Sequence, residues 1–394
     1  MIPELRKRFN SSFRQSAYES LLRDLNSAQR WPADFRVAET PVFLSQELTD
    51  DLLRASNEIL ATLQAPGYAA KFANAVPPEL AVPGETPHPV FLQLDFAICK
   101  DADGAFTPRL IELQGFPSLY CYQILLDDTW RKHFSIPKDF SSYFNGLDRD
   151  KYIALLKKII VADADPENVI LLELEPEKQK TRIDFACTES YLGFPTVDLK
   201  DLIERKKKLF YKKDGNEIPV ERIYNRVIFD DLARRERYAN FHFGNEHNVT
   251  WVGHPNWFFK ISKYTLPLLS SSYCPSCFFL SSLDSYPPDL EHYVLKPLFS
   301  FAGAGVEMDV NRQMLDAIRN RDHYILQRKV DYAPLVETPD GFSKVEIRMM
   351  FVWTSKPMLV NNLVRMSKGK MMGVDFNKDK TWIGSSLAYH PEIQ

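Results

Sequence analysis

VFLQLDFAICKDADGAFTPRLIELQ, residues 90–114, is the stretch from which the rest of the chain is read. Two strand-like runs, Val90–Cys99 and Thr107–Gln114, flank Asp103-Gly104, a two-residue turn signal. A tight turn there pairs residues whose numbers sum to 207, so Asp95 faces Glu112, and Gln93 and Gln114 share their face by the two-residue period. Directly opposed carboxylates repel, so something must compensate. A divalent cation does so, since Mg²⁺ takes a few carboxylates together with phosphate oxygens. A neighbouring cation such as Arg109 is an alternative, and so is a slipped register that leaves one carboxylate in solvent.

A second pattern lies late in the chain. Tyr293–Lys296 reads as a strand that delivers a lysine to a small-residue loop containing Gly303 and Gly305. Lysine supplies a point charge, and glycines let backbone N–H groups approach anionic oxygens. A strand at Tyr324–Gln327 then runs into Arg328-Lys329-Val330-Asp331, read either as a sheet edge or as a linker offering backbone groups to a purine and Asp331 to a ribose. In Val345–Met349 strict alternation puts Glu346 and Arg348 on one face, with a surface cross-strand pair as the plain alternative. Arg365 follows the next strand, Met358–Val364. Lys263, Lys296, Arg348 and Arg365 beside a glycine loop form the composition expected around a triphosphate.

Working outward, the first sixty residues read as helical (Ala17–Leu25, Leu52–Leu63), and 64–90 as an irregular, proline-rich connection. Beyond a helix at Lys151–Val161, Val169–Glu173, Thr181–Leu192 and Thr196–Asp198 give a β-α-β rhythm that predicts a small parallel sheet. A hairpin about Asp214-Gly215 closes this region, with strands Lys208–Lys212 and Ile218–Phe229. From Pro255 onward the pattern is mixed α+β, beginning with a helix at Ser262–Leu269.

The chain has 394 residues, 45% hydrophobic and 26% charged, with 49 Lys+Arg against 52 Asp+Glu. This is a globular profile of two or three domains, whose net charge of −3 gives no general attraction to nucleic acid or anionic membrane. Tyr264–Leu283 is uncharged for twenty residues, but its six serines and two prolines argue against a membrane span and for a buried helix followed by a polar turn. Met1–Asn26 is charged throughout and carries no apolar secretory core, and five scattered cysteines form no disulfide framework, so the expected location is the cytoplasm. P-loop, dinucleotide, zincin, α/β-hydrolase and protein-kinase signatures are absent. Cys274-Pro275-Ser276-Cys277 lacks further zinc ligands nearby.

In their order along the chain these residues resemble the ATP-grasp superfamily, most closely its circularly permuted branch that includes the synthetase domain of glutathionylspermidine synthase. The resemblance rests on Leu94-Asp95-Phe96 and Ile111–Gln114 early, then Ser262-Lys263, Leu295-Lys296-Pro297, Gly303/Gly305, Val364–Ser367 and Met372-Gly373-Val374 late. It implies an α+β ATP-grasp fold with a small α/β domain. The implied division is 1–150 (helices plus the metal-binding strand pair), 151–254 (substrate side) and 255–394 (nucleotide binding). It also implies an ATP-dependent carboxylate–amine ligase working through an acyl-phosphate.

By the same resemblance Asp95, Glu112 and Gln114 hold Mg²⁺, Lys263 and Lys296 contact ATP, and Gly303 and Gly305 belong to a closing loop. Gln327, Lys329, Val330 and Asp331 form the adenine hinge. Arg348 or Arg365 stabilises the transferring phosphoryl, and Arg226 reaches in from the middle domain. The expected partners are a small carboxylate and an amine, with neither nucleic acid nor membrane, and with the oligomeric state open. Two positions depart from the family pattern, Gln114 where Asn is common and Gln93 where an Arg precedes the metal aspartate. They make a binding module without turnover the alternative expectation.

Overall fold

The computed structural model describes residues 1–229, 241–300, 304–369, 372, 377, 379–392. Its architecture is mixed α+β, with separate sheets rather than one continuous layer. The central sheet is antiparallel, ordered Gly384–Ser386, Pro357–Ser367, Gly341–Trp353, Phe91–Lys100, Phe106–Gln114. Val336–Thr338 pairs alongside Gly341–Trp353. The early hairpin and the late strands therefore share one sheet, with Arg348 directly across from Asp95.

Alternation gives this sheet two unlike faces. Leu94, Phe96, Ile98, Ile347, Met349 and Val364 are buried on one, against the apolar stripe Leu48, Leu52, Ala55 and Ile59 of the helix Gln46–Gln64. That helix starts at Ser45, whose hydroxyl accepts from the Leu48 N–H, and its apolar residues recur every three or four positions. The other face carries Gln93, Asp95, Glu112, Gln114, Arg348 and Arg365.

The hairpin keeps the predicted Asp95–Glu112 and Gln93–Gln114 pairs, but not by a uniform register. Near the turn Phe96 pairs with Leu110 and Ala97 with Arg109, and a β-bulge between Asp95 and Phe96 restores the expected pairing beyond it. The connection is longer than two residues because Asp101 Oδ1 accepts from the N–H groups of both Asp103 and Ala105. The bulge has a steric logic. It lets Leu110 and Leu113 both enter the apolar face while Glu112 and Gln114 stay on the polar one.

A three-stranded antiparallel sheet, ordered Cys277–Phe279, Tyr324–Arg328, Tyr293–Pro297, has its own small core of Leu280, Tyr293, Leu295, Val310, Leu315 and Leu326. The predicted β-α-β region is a four-stranded parallel sheet, ordered Thr250–Val252, Arg222–Asn225, Val169–Glu173, Thr196–Asp198, with helix Arg182–Leu192. The Asp214-Gly215 hairpin is shorter than expected. Its second strand ends at Val220, and Arg222–Asn225 turns away to join the parallel sheet. Ser262–Leu269 is a short 3-10 helix, Lys263–Leu268, since Pro267 cannot donate an N–H to an α-helix. The uncharged run beyond it gives the strand Cys277–Phe279 instead of a long helix. Among the described residues no helix is long and apolar enough to cross a membrane. Tyr122–His133, a helix the sequence reading did not expect, packs under the polar face through Ile124, Leu126 and Trp130.

Candidate functional site

The polar face of the central sheet holds an ion cluster. Asp95 is fully buried, and Arg348, 6% exposed, grips it at both ends, Nε to Oδ1 at 2.6 Å and Nη2 to Oδ2 at 2.7 Å. This two-point geometry is what a planar guanidinium offers a carboxylate. Arg365 also donates to Asp95 Oδ2 and reaches Glu346 Oε1 on the strand between them. Glu346 Oε2 accepts from the Tyr332 hydroxyl at 2.9 Å. The Glu346–Arg348 pair is thus an interior feature, with both residues buried. Arg109 is not the compensating charge, since its guanidinium is turned to the Ser272 carbonyl.

The three-stranded sheet closes over the hairpin. Lys296 Nζ and Gln327 Nε2 converge on the Ile111 carbonyl, at 3.3 and 3.4 Å. Ile111 is the extra residue of the bulge, which is why its carbonyl is available outside the ladder. Lys263 is buried, and its ammonium donates to the Ser300 carbonyl. Its helix is fixed by a capping box between Ser262 and Thr265. Burial opposes charge on Glu112, but Lys263, Arg365, Lys296 and Arg348 outweigh it and hold the carboxyl down at about 2. Burial pushes Glu346 the other way, above the usual carboxylate range, with Asp95 and Glu112 adding to it against the pull of Arg365. Burial also lowers the Lys296 ammonium, Lys263 reinforces this, and Glu112 opposes it.

The remaining predicted positions divide. Gly305 adopts φ +70° and a Cβ there would stand 2.9 Å from Pro297, so the return of this loop against its strand requires glycine. Gly303 lies outside the described residues. Val330 and Asp331 are in the link between the three-stranded sheet and Tyr332, with Asp331 exposed, whereas the Lys329 ammonium is turned outward to the Glu291 carbonyl. Gln93, expected to be Arg in the resembling family, donates to the Ser118 carbonyl at 2.8 Å and so ties down the segment after the hairpin.

Arg226 follows directly on strand Arg222–Asn225, at the carboxyl ends of the parallel sheet, where ligands of such sheets commonly bind. It is 3% exposed, and its guanidinium lies 5.0 Å from the ring centre of Phe116 and 5.2 Å from that of Phe185. Its Nη2 donates to the Thr181 hydroxyl at 3.3 Å, while Nε and Nη1 are buried with no hydrogen-bond partner among the described residues. Asp184 stands nearby, raised by burial and countered by Arg226 and three backbone N–H donors. Those donors, from Leu119, Cys121 and Tyr122, pin the segment whose Phe116 covers Arg226. Sequence reasoning missed Asp184, Phe116 and Phe185. An aspartate in a first helical turn looks like any partner of the helix dipole.

The expected Mg²⁺ ligands Asp95, Glu112 and Gln114 do not form a cation-ready set. Both Asp95 oxygens are committed to arginines, and Gln114 donates its amide to Glu112 Oε1 at 2.8 Å. Among the described residues no group of three His, Cys, Asp or Glu is arranged to hold a metal ion. The repulsion that a cation was expected to relieve is relieved by Arg348. Thiol chemistry has no support either, since burial pushes Cys274 and Cys277 up to about 12.

No family model and no curated protein matches the chain. Among solved structures it is similar to a glutathione synthetase-like effector (GSS30) from Globodera pallida, in its apo form. The TM-score is 0.55 at 10% identity, over 100% of this chain and 99% of that one. At this identity the likeness concerns the fold, and it runs the full length of both chains.

Proposed function

We propose that this chain is an ATP-grasp-type protein that binds ATP between the central sheet and the three-stranded sheet and uses it to activate a carboxylate for attack by an amine. The observation that carries the reading is the convergence of Lys263, Lys296, Arg348 and Arg365, from elements far apart in sequence, on one buried polar patch. A triphosphate needs that density of positive charge. The fold-level likeness to a synthetase-like protein agrees with it.

In this reading Lys263 and Lys296 hold the phosphates from the side of the three-stranded sheet. The link through Val330 and Asp331 borders the nucleoside. Arg365 swings from its carboxylate partners toward the transferring phosphoryl group, with Arg348 behind it. Such chemistry needs positioning and charge stabilisation more than a covalent nucleophile. Arg226 takes the acid, because two buried, unpartnered guanidinium nitrogens between aromatic faces suit a carboxylate. The amine then displaces phosphate from the acyl-phosphate.

The test is an ADP-release assay across panels of small acids and amines. ADP and phosphate forming only when both acceptors are present is the expected result. AMP as product, or ADP release indifferent to acceptors, refutes the reading. A second reading, binding without turnover, is favoured by Gln93, which holds a backbone carbonyl where the resembling family presents a cation to phosphate. It predicts ATP binding with no product from any acceptor pair.

A further inference from the structure

The charges of the central cluster are asymmetric. Among the described residues, Asp95, Glu112 and Glu346 bring three carboxylates; Lys263, Lys296, Arg348 and Arg365 bring four cations. Asp95 and Glu346 have committed both of their carboxylate oxygens, and Glu112 one of its two. Asp95 gives both to guanidinium groups, Glu346 gives one to Arg365 and one to Tyr332, and Glu112 accepts from Gln114. Among the described residues, the buried oxygens of this cluster without a hydrogen bond are the amide oxygens of Gln93, Gln114 and Gln327, which carry no charge to offset a divalent ion, and Glu346 Oε1, which is in ion-pair contact with Arg365. On the cation side the Nε of Arg365 is buried with no hydrogen-bond partner among the described residues.

An entering divalent cation would have to strip Arg348 or Arg365 from Asp95 and leave a guanidinium unpaired beside it. An entering polyanion takes no oxygen ligand from the cluster, and where it draws Arg365 away, Arg348 still holds Asp95 at both oxygens. It meets an excess of positive charge and a donor still to be satisfied. Hard cations such as Mg²⁺ require charged oxygen ligands, usually carboxylate and phosphate together. Here side chains supply the neutralisation that the ion supplies elsewhere.

We propose that this cleft binds the triphosphate of a nucleotide without a divalent cation, with Lys263, Lys296 and Arg365 neutralising the phosphates. The proposal rests on the nucleotide reading given above and departs from the Mg²⁺ dependence expected of it. Glu112 in this view is a partner for the lysines that competes with the incoming phosphates, rather than a ligand to a metal.

The experiment is titration calorimetry of the full chain with ATP in excess EDTA and in excess MgCl₂, repeated with Glu112→Gln and Lys296→Met. The expected dissociation constant in EDTA is no more than threefold above that in MgCl₂. Glu112→Gln should bind ATP at least as tightly as wild type in both buffers, and Lys296→Met at least tenfold more weakly in both. ATP binding more than threefold weaker in EDTA overturns the proposal while leaving the nucleotide reading intact. Loss of Mg²⁺-dependent affinity in Glu112→Gln does the same. Absence of ATP binding in both buffers overturns both. Should either variant fail to fold, as judged by circular dichroism, the wild-type comparison alone decides.

Discussion

Two buried arginines, Arg348 and Arg226, stand in opposite conditions. Arg348 spends its guanidinium on Asp95 in a two-point ion pair, inside the sheet that forms the centre of the molecule. Arg226 is as deeply buried, yet among the described residues its guanidinium makes one long hydrogen bond and otherwise lies between two rings. The difference teaches how to tell an architectural charge from one kept for a ligand. A buried ion is tolerated when its partner is built in. One left with open donors is costly to the free protein, and that cost is recovered when a complementary anion arrives.

The sharpest way to break this comparison is at Arg348. Arg348→Met should destabilise the protein by about 3–5 kcal/mol, because it removes the two-point partner of buried Asp95 and leaves it to Arg365 alone. Urea denaturation measures it, and the double variant Asp95→Leu/Arg348→Met should recover much of the loss. Asp184→Ala comes next, at about 1–3 kcal/mol, since three backbone N–H groups lose their acceptor. A loss near zero there would mean the segment over Arg226 is held by other contacts.

Acid separates the two sites further. The Glu112 carboxyl is held at about 2, against an ordinary 4.5, so it contributes stability that is present above pH 4.5 and is lost as pH falls toward 2. Glu346, raised by burial, acts in the opposite sense, its ionisation costing stability as pH rises through its folded value. Comparing urea midpoints at pH 7 and pH 3, wild type should lose more stability than Glu112→Gln. Equal losses would show that the surrounding cations do not hold Glu112 ionised. The smallest effect belongs to Arg226→Met, within about 1 kcal/mol of wild type, because the lost cation–π contact is offset by removing unsatisfied donors. A cost matching that of Arg348→Met would make Arg226 architectural as well.

Much of the candidate site was legible because its parts lie on strongly patterned strands. Alternation placed Asp95 with Gln93, Glu112 with Gln114, and Glu346 with Arg348. The Asp214-Gly215 turn shows the pattern working plainly, with Lys213 opposite Asn216 and both turn residues at positive φ. The same dipeptide at 103–104 did not, because the Asp101 side chain captures the backbone and enlarges the loop. Propensity names a turn; a local hydrogen bond decides its length.

By itself the sequence determined which residues could share a face, the parallel character of the middle sheet, and the early-hairpin, late-lysine order. These follow from side-chain periodicity and connection length, which are local. Only the tertiary structure decided that Asp95 answers to Arg348, 253 residues away, and to Arg365, rather than to a cation or to Arg109. It alone placed a bulge at Ile111 and set Phe116 and Phe185 about Arg226. A charge in a low-dielectric interior takes whichever partner the packing brings within reach, and no spacing along the chain encodes that choice.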